Sequence, residues 1–221
     1  MVSVFLSLSA VLAASVLTSP AAGAAPRTGG PGAVPGGWTA VDGPGLARLT
    51  EGAGARRAPS AAGDGVSAAA VTTELLAVQS ARNARFVATE VNYAAPNTGA
   101  LRARSLEVGG AWEGFAFEFD DASGTFAMKS LANNRYVAVE KNYTGTAQNV
   151  LRARSTSVGG WERFVLYYNE SLDRWALQST LNGLFVAMEN GYTGSLQYAL
   201  RARSAEITGS WEEFALYDLG A

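Results

Sequence analysis

The chain has 221 residues, with 17 basic and 19 acidic side chains, a formal charge of −2, and neither Cys nor His. Without Cys there are no disulfides, thiol nucleophiles or thiolate metal sites, and without His there is no Ser-His-Asp triad and no ordinary catalytic zinc site. The near balance of charge gives no basic footprint for nucleic acid and no polybasic patch for a membrane, while carboxylates, Lys and Tyr leave acid–base chemistry open.

Residues 1–25 begin with an apolar run from Val4 to Leu17 that is short and rich in Ser and Ala for a comfortable membrane span. Ala22-Gly23-Ala24 then fits the small-x-small cleavage pattern of a secretory signal, although no Lys or Arg precedes the run. The segment is predicted to be a cleaved signal peptide that places the mature chain outside the cell; a retained anchor is the alternative. Residues 26–70 are dominated by Gly, Ala and Pro and show no apolar period, which predicts a flexible linker. Trp38, its only aromatic residue, is expected to touch the following domain loosely.

From residue 71 onward the chain repeats itself three times, over 74–124, 125–173 and 174–221. Ser80, Ser130 and Ser179 set a pitch of 50 and then 49 residues, and Leu101, Leu151 and Leu200 follow the same pitch. Trp112, Trp161 and Trp211 recur with one residue missing from the second copy. Each copy holds four runs of strand length, rich in Val, Phe, Tyr and Trp and separated by turn residues; in the second copy they are Phe126–Ser130, Arg135–Glu140, Val150–Ser155 and Trp161–Tyr167. Twelve strands with threefold symmetry predict a β-trefoil, an all-β fold with six strands in a barrel and six forming hairpins that cap it. A propeller wants at least four blades, and a solenoid wants separate capping units.

Alternation sorts the side chains. Val87/Thr89, Val137/Val139 and Val186/Met188 are predicted to point inward, as are Leu101, Ala103 and Ser105, while Arg102 and Arg104 point out. A hairpin between the second and third strands brings Glu90 to Arg102 and Arg104, Glu140 to Arg152 and Arg154, and Glu189 to Arg201 and Arg203. Two readings of these clusters stand. In one, each is a cross-strand ion pair only; in the other, carboxylate, guanidinium fork and a nearby ring such as Phe86 or Tyr136 together form a patch for a sugar. Tyr93, Tyr143 and Tyr192, in the loop that follows, either pack on the barrel mouth or offer a stacking surface to a saccharide. Trp112, Trp161 and Trp211 are predicted to lie in the core, with Glu113, Glu162 and Glu212 solvated or bonded to turn amides. Trp175 replaces Leu76 and Phe126 and reads as a size variant in the core. Asn142-Tyr143-Thr144 and Asn169-Glu170-Ser171 match glycosylation sequons.

The recurring string N-x-R/L-F/Y-V-A-x-E, then L-R-A-R-S, then G-x-W-E-x-F resembles the fascin-like β-trefoil repeat of the actin-crosslinking superfamily, over all of residues 74–221. It is less similar to the ricin-type trefoil, because W-E-x-F stands where Q-x-W would close each repeat. The chain resembles single-trefoil, secreted bacterial members of the fascin-like group, whereas eukaryotic fascins carry four trefoils in tandem and bundle actin. The resemblance implies a non-catalytic binding scaffold.

The function expected from the sequence is therefore a secreted, monomeric binding module for an extracellular glycan or protein surface. Its candidate ligand-binding residues are Glu90, Tyr93, Arg102, Arg104, Glu140, Tyr143, Arg152, Arg154, Glu189, Tyr192, Arg201 and Arg203, with no catalytic residues, metal or cofactor. A protein-binding trefoil, either filament-associated or an enzyme inhibitor, is the alternative. A carboxylate hydrolase ranks last, since glycosidic cleavage wants two unlike carboxylates in one cleft and symmetry makes these alike and distant.

Overall fold

The computed structural model describes residues 36–51 and 72–220. The signal peptide expected over 1–25, and most of the linker, lie outside the described residues. Within that linker the structure differs from expectation. Thr39–Val41 form strand β1, and Gly43–Glu51 form helix α1.

The repeats supply twelve strands: β2 (Thr72–Ser80), β3 (Phe86–Glu90), β4 (Ala100–Ser105) and β5 (Gly114–Asp120); β6 (Thr125–Ser130), β7 (Arg135–Val139), β8 (Leu151–Ser155) and β9 (Arg163–Asn169); β10 (Arg174–Ser179), β11 (Phe185–Met188), β12 (Leu200–Ser204) and β13 (Phe214–Asp218). In the second copy the fourth strand starts two residues later than predicted, because Trp161 and Glu162 stay in a turn closed by the Gly159 amide donating to Glu162 Oε2 at 2.8 Å.

Six strands close a barrel. β2 pairs with β5, β5 with β6, β6 with β9, β9 with β10, β10 with β13 and β13 with β2, all antiparallel. Closure leaves no barrel edge to template aggregation. The hairpins β3–β4, β7–β8 and β11–β12 cap one end, each with a register shift at the same place, before Val87, Val137 and Val186. The chain has the β-trefoil fold.

The core is built from threefold positions. Leu76, Phe126 and Trp175 form one layer, Phe115, Phe164 and Phe214 another, and Leu101, Leu151 and Leu200 a third, all buried in one cluster. Trp175 is therefore the core size variant the sequence implied. Val87, Val137, Val139, Val186, Met188 and Thr89 are buried as the alternation predicts. The turns repeat as well: Asn83, Asn133 and Asn182 each donate Nδ2 to the carbonyl of Ala103, Ala153 or Ala202, at 2.9, 2.8 and 3.1 Å. Their Oδ1 atoms accept from the amides two residues on, an Asx turn that fixes the entry into each second strand.

The N-terminal strap breaks the symmetry. β1 pairs with β9, placing Thr39 opposite Tyr168 and Val41 opposite Leu166. Asp42 caps α1 by accepting from the Gly45 amide at 2.7 Å, and Pro44 sits in the first turn, where its missing N–H costs nothing. The helix packs on β2, β5 and β13 and seats Leu46, fully buried, in the core cluster. Gly43 lies so close to Phe119 and Thr72 that a Cβ would meet both at 3.0 Å. Trp38 rests against the small cluster of Tyr167, Ala176 and Phe185. Residues 39–51 are thus part of the folded body, because a cap, a docked apolar residue and a paired strand offset their ordering entropy. No helix among the described residues is long and apolar enough to cross a membrane.

Candidate functional site

The hairpins bring each repeated glutamate to its two arginines. Glu90 Oε1 accepts from Arg102 at 3.3 Å and from Arg104 Nε; Glu140 Oε1 accepts from Arg152 at 3.1 Å and Arg154 at 2.5 Å; Glu189 Oε1 accepts from Arg201 at 3.1 Å and pairs with Arg203 at 2.7 Å. The outward face of the hairpin was expected to be open, and on this point the expectation is corrected. Glu90, Glu140 and Glu189 are only 3, 3 and 6 % exposed, and Arg102 is 7 % exposed. The burial has a structural cause. The inner arginine of each copy pairs with its own glutamate and reaches into the preceding repeat in cyclic order.

That reach forms a closed ring. Arg102 Nε donates to the Gln197 carbonyl at 2.6 Å, Arg201 Nε to the Gln148 carbonyl at 2.7 Å, and Arg152 Nε to the Thr98 carbonyl at 2.9 Å. The first repeat holds the third, the third holds the second, and the second holds the first. Backbone bonds run the same way, from the Ala103 amide to Tyr198, the Ala202 amide to Asn149 and the Ala153 amide to Gly99. Gly99, Asn149 and Tyr198 are equivalent, and all have positive φ, at 80°, 61° and 61°.

Tyr93, Tyr143 and Tyr192 complete the ring from within. Each hydroxyl accepts from the inner arginine of its own copy. The guanidinium carbons lie 5.5, 5.7 and 5.6 Å from the ring centroids of the same tyrosines. Tyr143 also donates to the Pro96 carbonyl of the first repeat at 3.2 Å. These rings remain half-buried, so the packing reading describes their hydroxyls and leaves part of each ring at the surface.

The proposed aromatic partners of the glutamates are engaged elsewhere. Phe86 packs edge-on to Tyr217, with centroids 5.3 Å apart, and Phe185 is buried. Tyr136 donates to Glu118 at 2.8 Å; burial, with Glu118 beside it, raises its phenol above the usual tyrosine range.

The ring leaves an outer rim. Arg104, Arg154 and Arg203 keep 38, 36 and 39 % of their side chains exposed, while their Nε atoms are tied to buried carboxylates. Beside them stand Trp112, Trp161 and Trp211. These tryptophans were predicted to be core but are half-buried at the surface. Their backbones explain the recurrence: the Trp112, Trp161 and Trp211 carbonyls accept from Thr89, Val139 and Met188 at 2.9, 3.0 and 2.9 Å, just after each register shift. Glu113, Glu162 and Glu212 are buried and accept from the turn amides of Gly109, Gly159 and Thr208, the second of the two roles the sequence allowed.

In the first two copies the outer arginine stacks on the tryptophan of its own repeat, Arg104 over Trp112 at 5.8 Å and Arg154 over Trp161 at 5.4 Å. In the third, Arg82 from the first repeat takes that place over Trp211, at 4.6 Å. Sequence reasoning passed over Arg82. The available signal was its departure from the repeat, since Ala132 and Leu181 occupy the equivalent positions. Among the described residues no cluster of three or more acidic side chains is arranged to hold a metal. Of the two sequons, Asn142 is exposed, whereas Asn169 is buried and accepts from the Leu172 amide at 3.1 Å.

Solved structures similar to this chain share its fold at low sequence identity. A designed threefold-symmetric protein, ThreeFoil, matches with a TM-score of 0.53 at 17% identity, over 66% of this chain and 99% of its own. The BEL β-trefoil matches with a TM-score of 0.50 at 9% identity, over 66% of this chain and 93% of its own. A mosquitocidal holotoxin matches with a TM-score of 0.56 at 11% identity, but the similarity spans 68% of this chain and only 18% of the toxin. No family model matches the sequence, and no curated protein matches it.

Proposed function

We propose that this chain is an exported, non-catalytic β-trefoil binding module of the fascin-like type that recognises carbohydrate through repeated shallow patches on its surface. The observation that carries the reading is the rim: three exposed guanidinium groups, each anchored through Nε to a buried carboxylate and each in the same repeat as a half-buried tryptophan. Anchoring holds the remaining N–H donors in fixed positions, which reduces the entropy lost on binding a hydroxyl-rich ligand. The indole surface that each stacked arginine leaves uncovered suits the C–H surface of a pyranose. Three weak patches on one rigid body favour a polymer over a free monosaccharide through effective concentration. The ligand-facing members of the sequence-derived set are then Arg104, Arg154 and Arg203, with the ring faces of Tyr93, Tyr143 and Tyr192. Glu90, Glu140, Glu189, Arg102, Arg152 and Arg201 serve as their support.

The same burial argues against hydrolysis. Each glutamate is committed to two arginines, and the three stand in like environments, so none is set apart as acid or nucleophile. A glycan array probed with the full chain tests the reading. Expected are signals on polysaccharides that exceed those on the matching monosaccharides and fall stepwise in Arg104→Gln, Arg154→Gln and Arg203→Gln. A blank array together with co-sedimentation on actin filaments would replace this reading with protein binding.

A further inference from the structure

The third repeat differs from the others where the rim meets open space. A shallow cleft of about 500 Å³ is lined by Arg203, Glu206, Thr208, Trp211 and Glu212, among others. Because Arg82 occupies the Trp211 ring at 4.6 Å, Arg203 is not stacked there as Arg104 and Arg154 are on their tryptophans. Its Nε is fixed on Glu189, and its two terminal nitrogens have no acceptor among the described residues. Glu206 is exposed and likewise without a partner among the described residues. Glu212 is spent on Ser204 Oγ at 2.6 Å and on the Thr208 amide, so it serves as a floor.

We propose that this cleft is a saccharide site for a neutral pyranose unit and that it is the strongest of the rim sites. This rests on the carbohydrate reading above and assigns it a place and a ligand class. A sugar hydroxyl pair needs one fixed donor and one free acceptor, which Arg203 and Glu206 supply; an apolar sugar face needs an indole surface, and Trp211 lines the cleft while Arg82, which does not, steadies its ring. Charge selects against an acidic sugar. Of the charged residues that line the cleft, Arg203 stands against Glu206 and Glu212, one against two, and Glu206 would face an incoming carboxylate. The second copy cannot match this arrangement, since Ser157 stands where Glu206 would be. The first copy has Glu107 there but keeps Arg104 on its tryptophan.

The test is titration of the full chain with neutral hexaoligosaccharides of glucose, mannose, galactose and xylose, and with oligogalacturonate as the acidic probe. Glu206→Gln lies on the exposed surface and leaves the fold intact. It is expected to weaken the best neutral oligosaccharide about tenfold, as loss of a charged hydrogen-bond acceptor does. Trp211→Ala is expected to weaken it at least as much, and Glu107→Gln to leave it unchanged. Unchanged affinity in Glu206→Gln, or a preference for oligogalacturonate, would overturn this site while leaving carbohydrate binding in place. Silence toward every oligosaccharide and on the array would remove both.

Discussion

At one end of the barrel, three copies of one hairpin interlock through Arg102, Arg152 and Arg201; at the other, one helix and one short strand seat Leu46 and Val41 against the core. The first closure is polar, repeated and cyclic. Each copy both gives and receives a cross-repeat hydrogen bond, so no copy can loosen without releasing a neighbour. The second closure is apolar and singular, and it is attached to the barrel by only three paired residues and one helix face. Buried polar networks are stabilising only when every member is satisfied, and no buried side-chain polar atom among the described residues lacks a partner. The symmetric end therefore depends on completeness, whereas the strap depends on area.

The largest effect should come from breaking the symmetric end. Glu140→Ala strips the acceptor from two guanidinium groups, one of them nearly buried, and removing one partner of a buried ion pair costs about 3–5 kcal/mol. Denaturant unfolding followed by tryptophan fluorescence should show this loss, and similar losses for Glu90→Ala and Glu189→Ala. A loss under 1 kcal/mol in all three would mean that the ring is ornamental and the apolar layers alone hold the repeats together.

At the opposite end, Leu46→Ala should cost about 2 kcal/mol, the low part of the range for a buried leucine, because the strap can lift off without opening the barrel. Hydrogen exchange distinguishes the two closures. In Leu46→Ala the amides of α1 should exchange much faster while those of β7 and β8 keep their protection. Uniform loss of protection across the barrel would show the strap to be part of one cooperative unit with it.

How far the sequence revealed the structure follows the same division. The trefoil, its strands and the core layers were legible because each signal is written three times, so a single ambiguous run such as Val150–Ser155 is fixed by its copies. The contacts between each glutamate and its arginines were legible from alternation and the hairpin. The burial of those glutamates was not, since the carbonyls of Thr98, Gln148 and Gln197 that hold the inner arginines belong to other repeats. Trp112, Trp161 and Trp211 were misplaced for a related reason: they recur because of where their backbones bond, and composition alone assigns a recurring indole to the core. The strap escaped because it occurs once and is rich in Gly and Pro, although Asp42 three residues before Gly45, with Pro44 between, is a legible helix start.

A finer comparison lies within the ring, at Gly99, Asn149 and Tyr198. A Cβ on Gly99 would stand 2.5 Å from the Ala153 carbonyl oxygen, and its φ of 80° is disfavoured for any other L-residue. Gly99→Ala should cost at least the ~1–2 kcal/mol of the left-handed conformation, since the Ala153 carbonyl must also move. Asn149→Gly should be nearly neutral, because it exchanges relief of the left-handed conformation for added unfolded-state entropy. A negligible cost of Gly99→Ala in thermal unfolding would show that residue 99 can take the backbone with which Asn149 and Tyr198 carry a side chain.

The smallest effect is on pH dependence, where Asp120 reports on the barrel and Tyr136 on a capping hairpin. Asp120, the last residue of β5, is held below the ordinary aspartate value first by its hydrogen bond from Arg163 and then by Ser123. Its unfolded counterpart takes up a proton near pH 3.8, so in that window the unfolded chain binds more protons than the folded one. The contribution is complete above that pH and is lost as the pH falls through the lower folded value. On the alkaline side the phenols of Tyr136, Tyr167 and Tyr168 are raised by burial, with Glu118 and Asp173 adding to the shift for the first and last. There the unfolded chain releases protons first, near pH 10, and stability falls as pH rises beyond it. Asp120→Asn should flatten the acid limb slightly, because the carboxylate is partly exposed and solvent screens its pair with Arg163. Tyr136→Phe should flatten the alkaline limb by one residue's share while leaving the acid limb alone. An acid limb unaltered in Asp120→Asn would show that the Asp120–Arg163 pair contributes nothing measurable to stability at low pH.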